Sequence, residues 1–444
     1  MATLARQMRR LAVSLGLASA AIVCMMAWPV DAIMQELSSS QNVAADASLF
    51  GERSLLNINN LSMWFRRDGW SARHPLRVNF SGVTFPRSTD QVVYQDGLVW
   101  GGRVVDGDAQ EIRVGGQTFE IGTVPGAIVS KGVAENPNDS AVRIYRVRRD
   151  YATADLQLDA AELLDKPLSQ VSDDEIELVR AQYAADWREW PWRKGAPFLD
   201  RDGSGSYDPA IDEPSFRNLD CTETPEPCKS NADQIAWFVV NDLNRGATRA
   251  LYGSKPIGME MQLTLWAYAR TNALGDAIFK RYKLHYKGTE EAAEDAVIED
   301  MYLSLWSDPD IGDFGDDFAG SDTALNMGFV YNANPADDHY RVFELPPPAV
   351  GYDLLQGPAV PDAESEGIFD FRPQRGIRNL PMTSFVYFAA GSAVDDPQLG
   401  RYSGTLEWYN LLRGFQPQPN IVEPVPFTDP NTGEDSAFAL DGDP

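Results

Sequence analysis

The run Ile257-Gly258-Met259-Glu260-Met261-Gln262-Leu263-Thr264-Leu265-Trp266 places an apolar side chain at every second position up to Leu265. A period of two marks a β-strand, because successive side chains point to opposite faces of the sheet. Two later runs repeat the pattern. Ile278, Tyr282, Leu284 and Tyr286 interleave with Lys280, Lys283 and His285; Val297, Met301, Leu303 and Leu305 interleave with Glu299, Asp300 and Tyr302. Gly275-Asp276 and the acidic 290–295 segment separate them. Three successive strands joined this way predict an antiparallel meander with one wetter face.

Working outward, the chain keeps this character. Between about 54 and 150, short runs such as Leu76–Phe80, Leu98–Val105, Thr118–Ile121 and Val142–Val147 are punctuated by Gly101-Gly102, Asp106-Gly107 and Gly115-Gly116. Leu325–Tyr331 and Phe385–Phe388 add strand signals, and Glu407–Leu412 reads as a short helix. One longer helix is clear. Ser172-Asp173-Asp174-Glu175 is a capping box, followed by Ile176, Val179, Tyr183 and Trp187 on one face. Trp190-Pro191-Trp192 and Gly195-Ala196-Pro197 end it. The expectation is a mainly β protein: an antiparallel β-sandwich-like architecture with one inserted amphipathic helix and long calcium-binding loops. Its sequence divides into residues 1–32, 33–53, 54–150, 151–230 and 231–444. These read as a signal peptide, a flexible lead-in, a β-rich region, a helix plus loop segment, and the main β region.

Composition sets the partners and the compartment. The 444 residues carry 38 Lys+Arg against 65 Asp+Glu, a net charge of -27 that leaves no basic surface for phosphate. Nucleic acid and anionic membrane are therefore excluded as partners. Arg6, Arg9 and Arg10 precede an apolar run from Leu11 to Trp28, and Val30-Asp31-Ala32 supplies a small-residue site. That order reads as an export signal, with an uncleaved anchor as the alternative. After cleavage no stretch is apolar enough to span a bilayer, so the protein is expected outside the cell, at its surface or in the periplasm. Cys221 and Cys228 flank Thr-Glu-Thr-Pro-Glu-Pro and read as a local disulfide in an exported protein.

The most specific motif is Asp200-Arg201-Asp202-Gly203-Ser204-Gly205-Ser206-Tyr207-Asp208. Calcium loops set oxygen ligands at alternate positions and a glycine at the sharp turn, because a hard cation takes about six to eight oxygens. Asp200, Asp202, Ser204, the Ser206 carbonyl and Asp208 occupy those positions, with Gly205 at the turn. The departure lies at the twelfth position, which is Ile211; Asp212 and Glu213 follow one and two residues late and are the candidate bidentate ligands. The loop resembles those of dockerins. A second cluster runs Asp308-Pro309-Asp310-Ile311-Gly312-Asp313-Phe314-Gly315-Asp316-Asp317, with Asp322 beyond it. So many carboxylates repel unless something offsets them, so Asp308, Asp310, Asp313, Asp316 and Asp317 form a candidate second cation site. A solvated acidic loop built from Asx-turns is the alternative.

Catalytic patterns are weak. The only histidines are His74, His285 and His339, far apart, and no zinc or nucleophile-elbow motif occurs. Glu260, beside Trp266 and Tyr268, is the most suggestive acid for a glycosidase pair, against a plain polar-face glutamate. Trp187, Trp190 and Trp192 read either as a carbohydrate-stacking platform or as pins for the helix end. No catalytic centre is identified.

Taken in order, several segments resemble a group of large, mostly uncharacterised bacterial secreted β-rich proteins, many with a C-terminal sorting domain for type IX secretion. The segments are Asp186-Trp187 to Trp190-Pro191, Gly195-Ala196-Pro197, the 200–208 loop, Trp237–Asp242, Pro256–Glu260, Ser307–Asp313, Tyr331-Asn332, Pro347–Tyr352 and Gln356–Pro358. The resemblance implies secretion, a β-rich fold and a surface or structural role, and it carries no catalytic residues. No sorting domain is seen, and the chain ends at Leu440–Pro444, where the family pattern is expected to run into further strands. The resulting expectation is an exported calcium-binding β-sandwich protein with a structural, adhesive or binding role toward an extracellular polymer or surface protein. The alternatives are a secreted glycoside hydrolase-like enzyme and a segment of a cell-surface assembly.

Overall fold

A computed structural model describes residues 51–77, 79–215, 232–370, 372–429 and 431–442. The export signal, nearly all of the lead-in, and Cys221 and Cys228 lie outside the described residues.

The fold is mainly β, with several antiparallel sheets and few helices. The Met259–Ala267 strand is central. It pairs antiparallel with Gln234–Asn241 on one side and Ile278–Tyr286 on the other, and Tyr145–Arg148 extends the sheet beyond Gln234–Asn241. On one face, Met259, Met261, Leu263 and Leu265 join Ala236, Phe238 and Val240. Leu56, Met63, Phe65, Trp100 and Val104, from strands of other sheets, pack into the same cluster. Each such large side chain contributes roughly 1.5–3 kcal/mol on burial.

Two sequence expectations are corrected. First, the meander's second face is not wet: Glu260, Gln262 and Thr264 are all buried. The segment after the long helix covers it. Trp190 and Ala196 pack with Ile235, Trp237, Val239, Trp266 and Tyr268 in a second cluster. Gly195 passes so close that a Cβ there would lie 2.5 Å from Gln262 Oε1, and its φ of +107° already disfavours any other residue. Second, Val297–Asp308 does not pair with Ile278–Tyr286. It pairs with Gln95–Asp106, in the register Leu305↔Leu98 and Leu303↔Trp100, and forms an edge of that three-stranded sheet. Alternation marks a strand and its faces but carries no information about which partner it takes.

The expected capping box forms. The Glu175 N–H donates to Ser172 Oγ (3.3 Å) and the Ser172 N–H donates back to Glu175 Oε2 (2.9 Å), starting the Asp173–Arg188 helix. Its Val179 and Tyr183 pack on Leu55, Trp64, Leu156, Ala160 and Leu163. Arg146 is buried and reaches across to Asp159 and the Tyr183 hydroxyl, tying helix to sheet. The C-terminal helix begins earlier than expected, at Tyr402, and ends at Leu412. Its Trp408, Tyr409, Leu411 and Leu412 pack on Val99, Val114, Leu251 and Tyr252. Phe385–Phe388 makes only a single bridge, Phe385↔Phe438. Among the described residues, no helix is long and apolar enough to cross a membrane.

Candidate metal centre

The 200–212 loop has a closed neck. Phe198–Leu199 pairs antiparallel with Glu213–Pro214, so the chain leaves and re-enters the fold at one point. Inside the loop the backbone turns at Gly203 (φ +72°) and Gly205 (φ +74°), and a Cβ at either would meet nothing within 4 Å. These glycines are therefore required by left-handed backbone and not by space.

That turn aims amides inward. Asp200 accepts from the Ser204 and Gly205 N–H groups (3.1 and 2.8 Å), and Asp202 accepts from the Ser204 N–H (3.0 Å). Asp212 is buried and accepts from the Arg201 and Asp208 N–H groups (2.9 and 2.8 Å). The outcome is a trio: carboxylate oxygens of Asp200, Asp202 and Asp212 lie within 4.8 Å of one another. Three anionic oxygens so close repel, and the amides offset only part of that repulsion. A hard divalent cation is the counter-charge this donor set fits. The Ser204 N–H, with the Ser204 hydroxyl, also holds the Asp202 carboxyl below its usual range.

The other expected ligands are placed differently. The Ser204 hydroxyl donates to the Ser206 carbonyl (3.0 Å), and Asp208 Oδ1 accepts from the Ala210 N–H (2.9 Å); neither belongs to the trio. Glu213 is a correction. Its carboxylate is buried between Arg149 (2.5 Å) and Arg201 (2.7 Å), because the two-strand neck turns alternate residues to opposite sides. Of the two late acids, only Asp212 points into the loop.

The second cluster does not converge. Among the described residues, the 200/202/212 trio is the one set of three acidic, histidine or cysteine ligands that comes together. Asp313 caps the Gly315 N–H (3.1 Å), and Asp322 caps the Ala324 and Leu325 N–H groups (2.9 and 3.0 Å), as Asx-turns do. Asp316 accepts from Asn332 Nδ2 (2.8 Å) and Asp317 from the Ile311 N–H (2.9 Å). Burial pushes Asp308 up to about 7, helped by neighbouring Asp310 and Asp396, and pushes Asp310 to about 6. Burial likewise lifts Asp317 to about 6.

Glu260 is 1% exposed and fully engaged: it accepts from Lys287 Nζ (2.6 Å), the Ile128 N–H (2.7 Å) and Gln262 Nε2 (3.1 Å). It is a structural anion with no access for a sugar. The three tryptophans divide. Trp190 is buried, with its N–H on the Pro197 carbonyl (2.9 Å), and Trp192 packs edge-on to Phe198; both are pins. Trp187 instead walls a cleft of about 400 Å³ with Ile58, Arg149, Asp150, Glu213 and Asp233. Sequence reading did not anticipate this cleft, since its residues, Ala269 included, come from six separate stretches. It also passed over Asp242, whose buried carboxylate accepts from the Ile257, Gly258 and Met259 N–H groups (3.0, 2.8 and 2.7 Å) and is pushed by burial to about 6.

No protein-family model, curated protein or solved structure matches the chain.

Proposed function

We propose that this is an exported, calcium-binding β-sandwich protein with a structural, adhesive or binding role toward an extracellular polymer or surface protein. The observation that carries the reading is the convergence of Asp200, Asp202 and Asp212 on a glycine-turned loop. The export pattern of residues 1–32 and the resemblance to bacterial secreted β-rich proteins support the compartment. A core cluster packed between strands of several antiparallel sheets supports the sandwich. Calcium ties the loop to its neck, and its binding energy adds to folding. The Cys221–Cys228 disulfide belongs to the same proposal. The test is elemental analysis of the purified chain together with melting curves in calcium and in EDTA. Stoichiometric calcium and a lower melting temperature in EDTA are expected; a metal-free protein with the same melting temperature in both sinks the reading.

A second reading, a segment of a cell-surface assembly, is favoured by one feature. The edge strand Val297–Asp308 leaves Val297, Met301, Leu303 and Leu305 exposed, and no described strand pairs with its outer edge. Such an edge is a template for a strand of another chain. Light scattering across a concentration series tests it: a monomer at every concentration and salt counts against completion by a second copy.

A further inference from the structure

We infer that the cleft walled by Trp187 binds a neutral saccharide and that the metal loop sets its affinity, an inference that rests on the calcium reading for its second half only. Its volume of about 400 Å³ falls in the range of ligand sites, roughly 300–1,000 Å³. Its lining combines an indole and the Ile58 side chain with a guanidinium and three carboxylates. A pyranose has the matching surface: a C–H face that packs on an aromatic ring and a rim of hydroxyls that exchange hydrogen bonds with planar polar groups.

Charge narrows the class. The lining carries Asp150, Glu213, Asp233 and Arg149, and each carboxylate is already ion-paired: Asp150 with Arg148 (2.6 Å), Glu213 with Arg149 and Arg201 (2.5 and 2.7 Å), and Asp233 with Arg270 (3.0 Å). Arg149 also reaches Asp233 (3.7 Å). Phosphates, sulfated sugars and uronates would have to displace carboxylates already seated on these guanidinium groups, so they are disfavoured. A purely apolar ligand would strip water from four charged groups without replacing their hydrogen bonds. A neutral sugar avoids both costs, since its hydroxyls donate to carboxylates and accept from the guanidinium.

The aromatic wall is fastened to the metal loop at two points. Trp187 Nε1 donates to the Pro209 carbonyl (3.1 Å), and the Tyr207 hydroxyl donates to the Trp187 carbonyl (2.6 Å). Glu213, which holds Arg149 at the cleft, directly follows the trio member Asp212. Fixing Asp200, Asp202 and Asp212 around a cation therefore fixes Pro209, Tyr207 and Glu213, and through them the indole and the guanidinium. Preorganisation of this kind lowers the ordering cost of binding.

The experiment is calorimetric titration of the full chain with cello-, xylo-, manno-, laminari- and chito-oligosaccharides, in calcium and in EDTA, with polygalacturonate as the anionic probe. At least one neutral oligosaccharide should bind, EDTA should weaken it, and Trp187→Ala should weaken it about tenfold. Trp187→Phe should recover part of the loss. If Trp187→Ala does not fold, Asp150→Ala, whose side chain is half exposed, is expected to weaken binding a few-fold while the chain stays folded, its melting temperature lowered by the loss of the Arg148 pair. Calcium binding with no response to any neutral member of the panel overturns this inference alone. So does folded Trp187→Ala with wild-type affinity, or binding of polygalacturonate in place of the neutral sugars. Sugar binding without calcium binding leaves the cleft's ligand class standing and sinks the metal reading and the coupling drawn from it.

Discussion

The loops at 200–212 and 308–322 are both rich in aspartate, yet their carboxylates meet different fates. In the first, left-handed turns at Gly203 and Gly205 fold the chain back on itself, and three carboxylates come within 4.8 Å at a surface open to a cation. In the second, the carboxylates are dispersed. Asp313, Asp316 and Asp322 are satisfied locally, while Asp308 and Asp310 sit partly buried with raised proton affinity. Acid density alone makes no site; what matters is whether the backbone turns the acids toward one point. The first loop gathers its carboxylates at one point, whereas Asp308, Asp310 and Asp317 of the second are driven toward neutrality by burial.

The largest test of that contrast is Asp200→Ala set beside Asp310→Ala. Asp200, like Asp212, also organises two amides, so its loss should lower calcium affinity by about a hundredfold or more. At a calcium concentration a hundred times the wild-type Kd, that removes most of about 2.7 kcal/mol of ligand-linked stability. Asp310→Ala should leave calcium affinity and stoichiometry unchanged. Equal losses in the two variants, measured by titration calorimetry, would dissolve the contrast between the loops.

Next in size is Glu213→Ala, which separates the neck of the first loop from its ligand set. Glu213 is buried, but Arg149 and Arg201 are 41% and 50% exposed and Arg149 keeps Asp233 nearby, so removing the Glu213 carboxylate costs about 2 kcal/mol. Melting temperature should fall in EDTA as much as in calcium, because Arg149 and Arg201 lose their partner in either state. Calcium affinity should change only a few-fold. A selective loss of calcium binding, with apo stability intact, would restore Glu213 as a ligand.

How much of this was legible follows from what is local. The capping box at Ser172–Glu175 and the turn of the 200–208 loop depend on neighbours within a few residues, and both are readable in the sequence. The core face of Met259–Leu265 is equally local. Its opposite face was misread as wet because Trp190 and Ala196, which cover it, come from a segment far away in sequence. The partner of Val297–Asp308 is about two hundred residues upstream, and period-two alternation cannot name it. At the metal loop, Asp212 and Glu213 are adjacent and chemically alike. Only the strand pairing of Leu199 with Glu213 decides which one faces Asp200 and Asp202.

A smaller effect probes the backbone itself. Gly205→Ala adds a Cβ that meets nothing, so any consequence must come from the left-handed φ, which costs about 1–2 kcal/mol for other residues. That cost falls on the loop conformation that presents the amide to Asp200, and calcium affinity should drop about tenfold. Gly315→Ala, in the second loop, has no positive φ and should leave calcium binding as it was.

The smallest effect is the pH dependence, where the loops should differ in sign. Burial raises Asp308 to about 7, so between the unfolded carboxyl range near 4 and pH 7 the folded chain holds a proton that the unfolded chain has released. Stability from this group is therefore present at low pH and is lost as pH rises through that window. Asp308→Asn, neutral at every pH, should flatten the slope and raise stability at pH 8 by roughly 1–2 kcal/mol after allowance for solvent screening. Asp202 behaves oppositely. The Ser204 N–H lowers its pKa in the folded state, so its contribution is present above the unfolded value and is lost as pH falls through the folded one. Denaturation in EDTA from about pH 2 to pH 8 checks both, the upper part of the range for Asp308 and the part below the ordinary carboxyl range for Asp202. A steeper slope in Asp308→Asn than in the wild type would mean that the fold holds Asp308 charged, against the direction its burial sets.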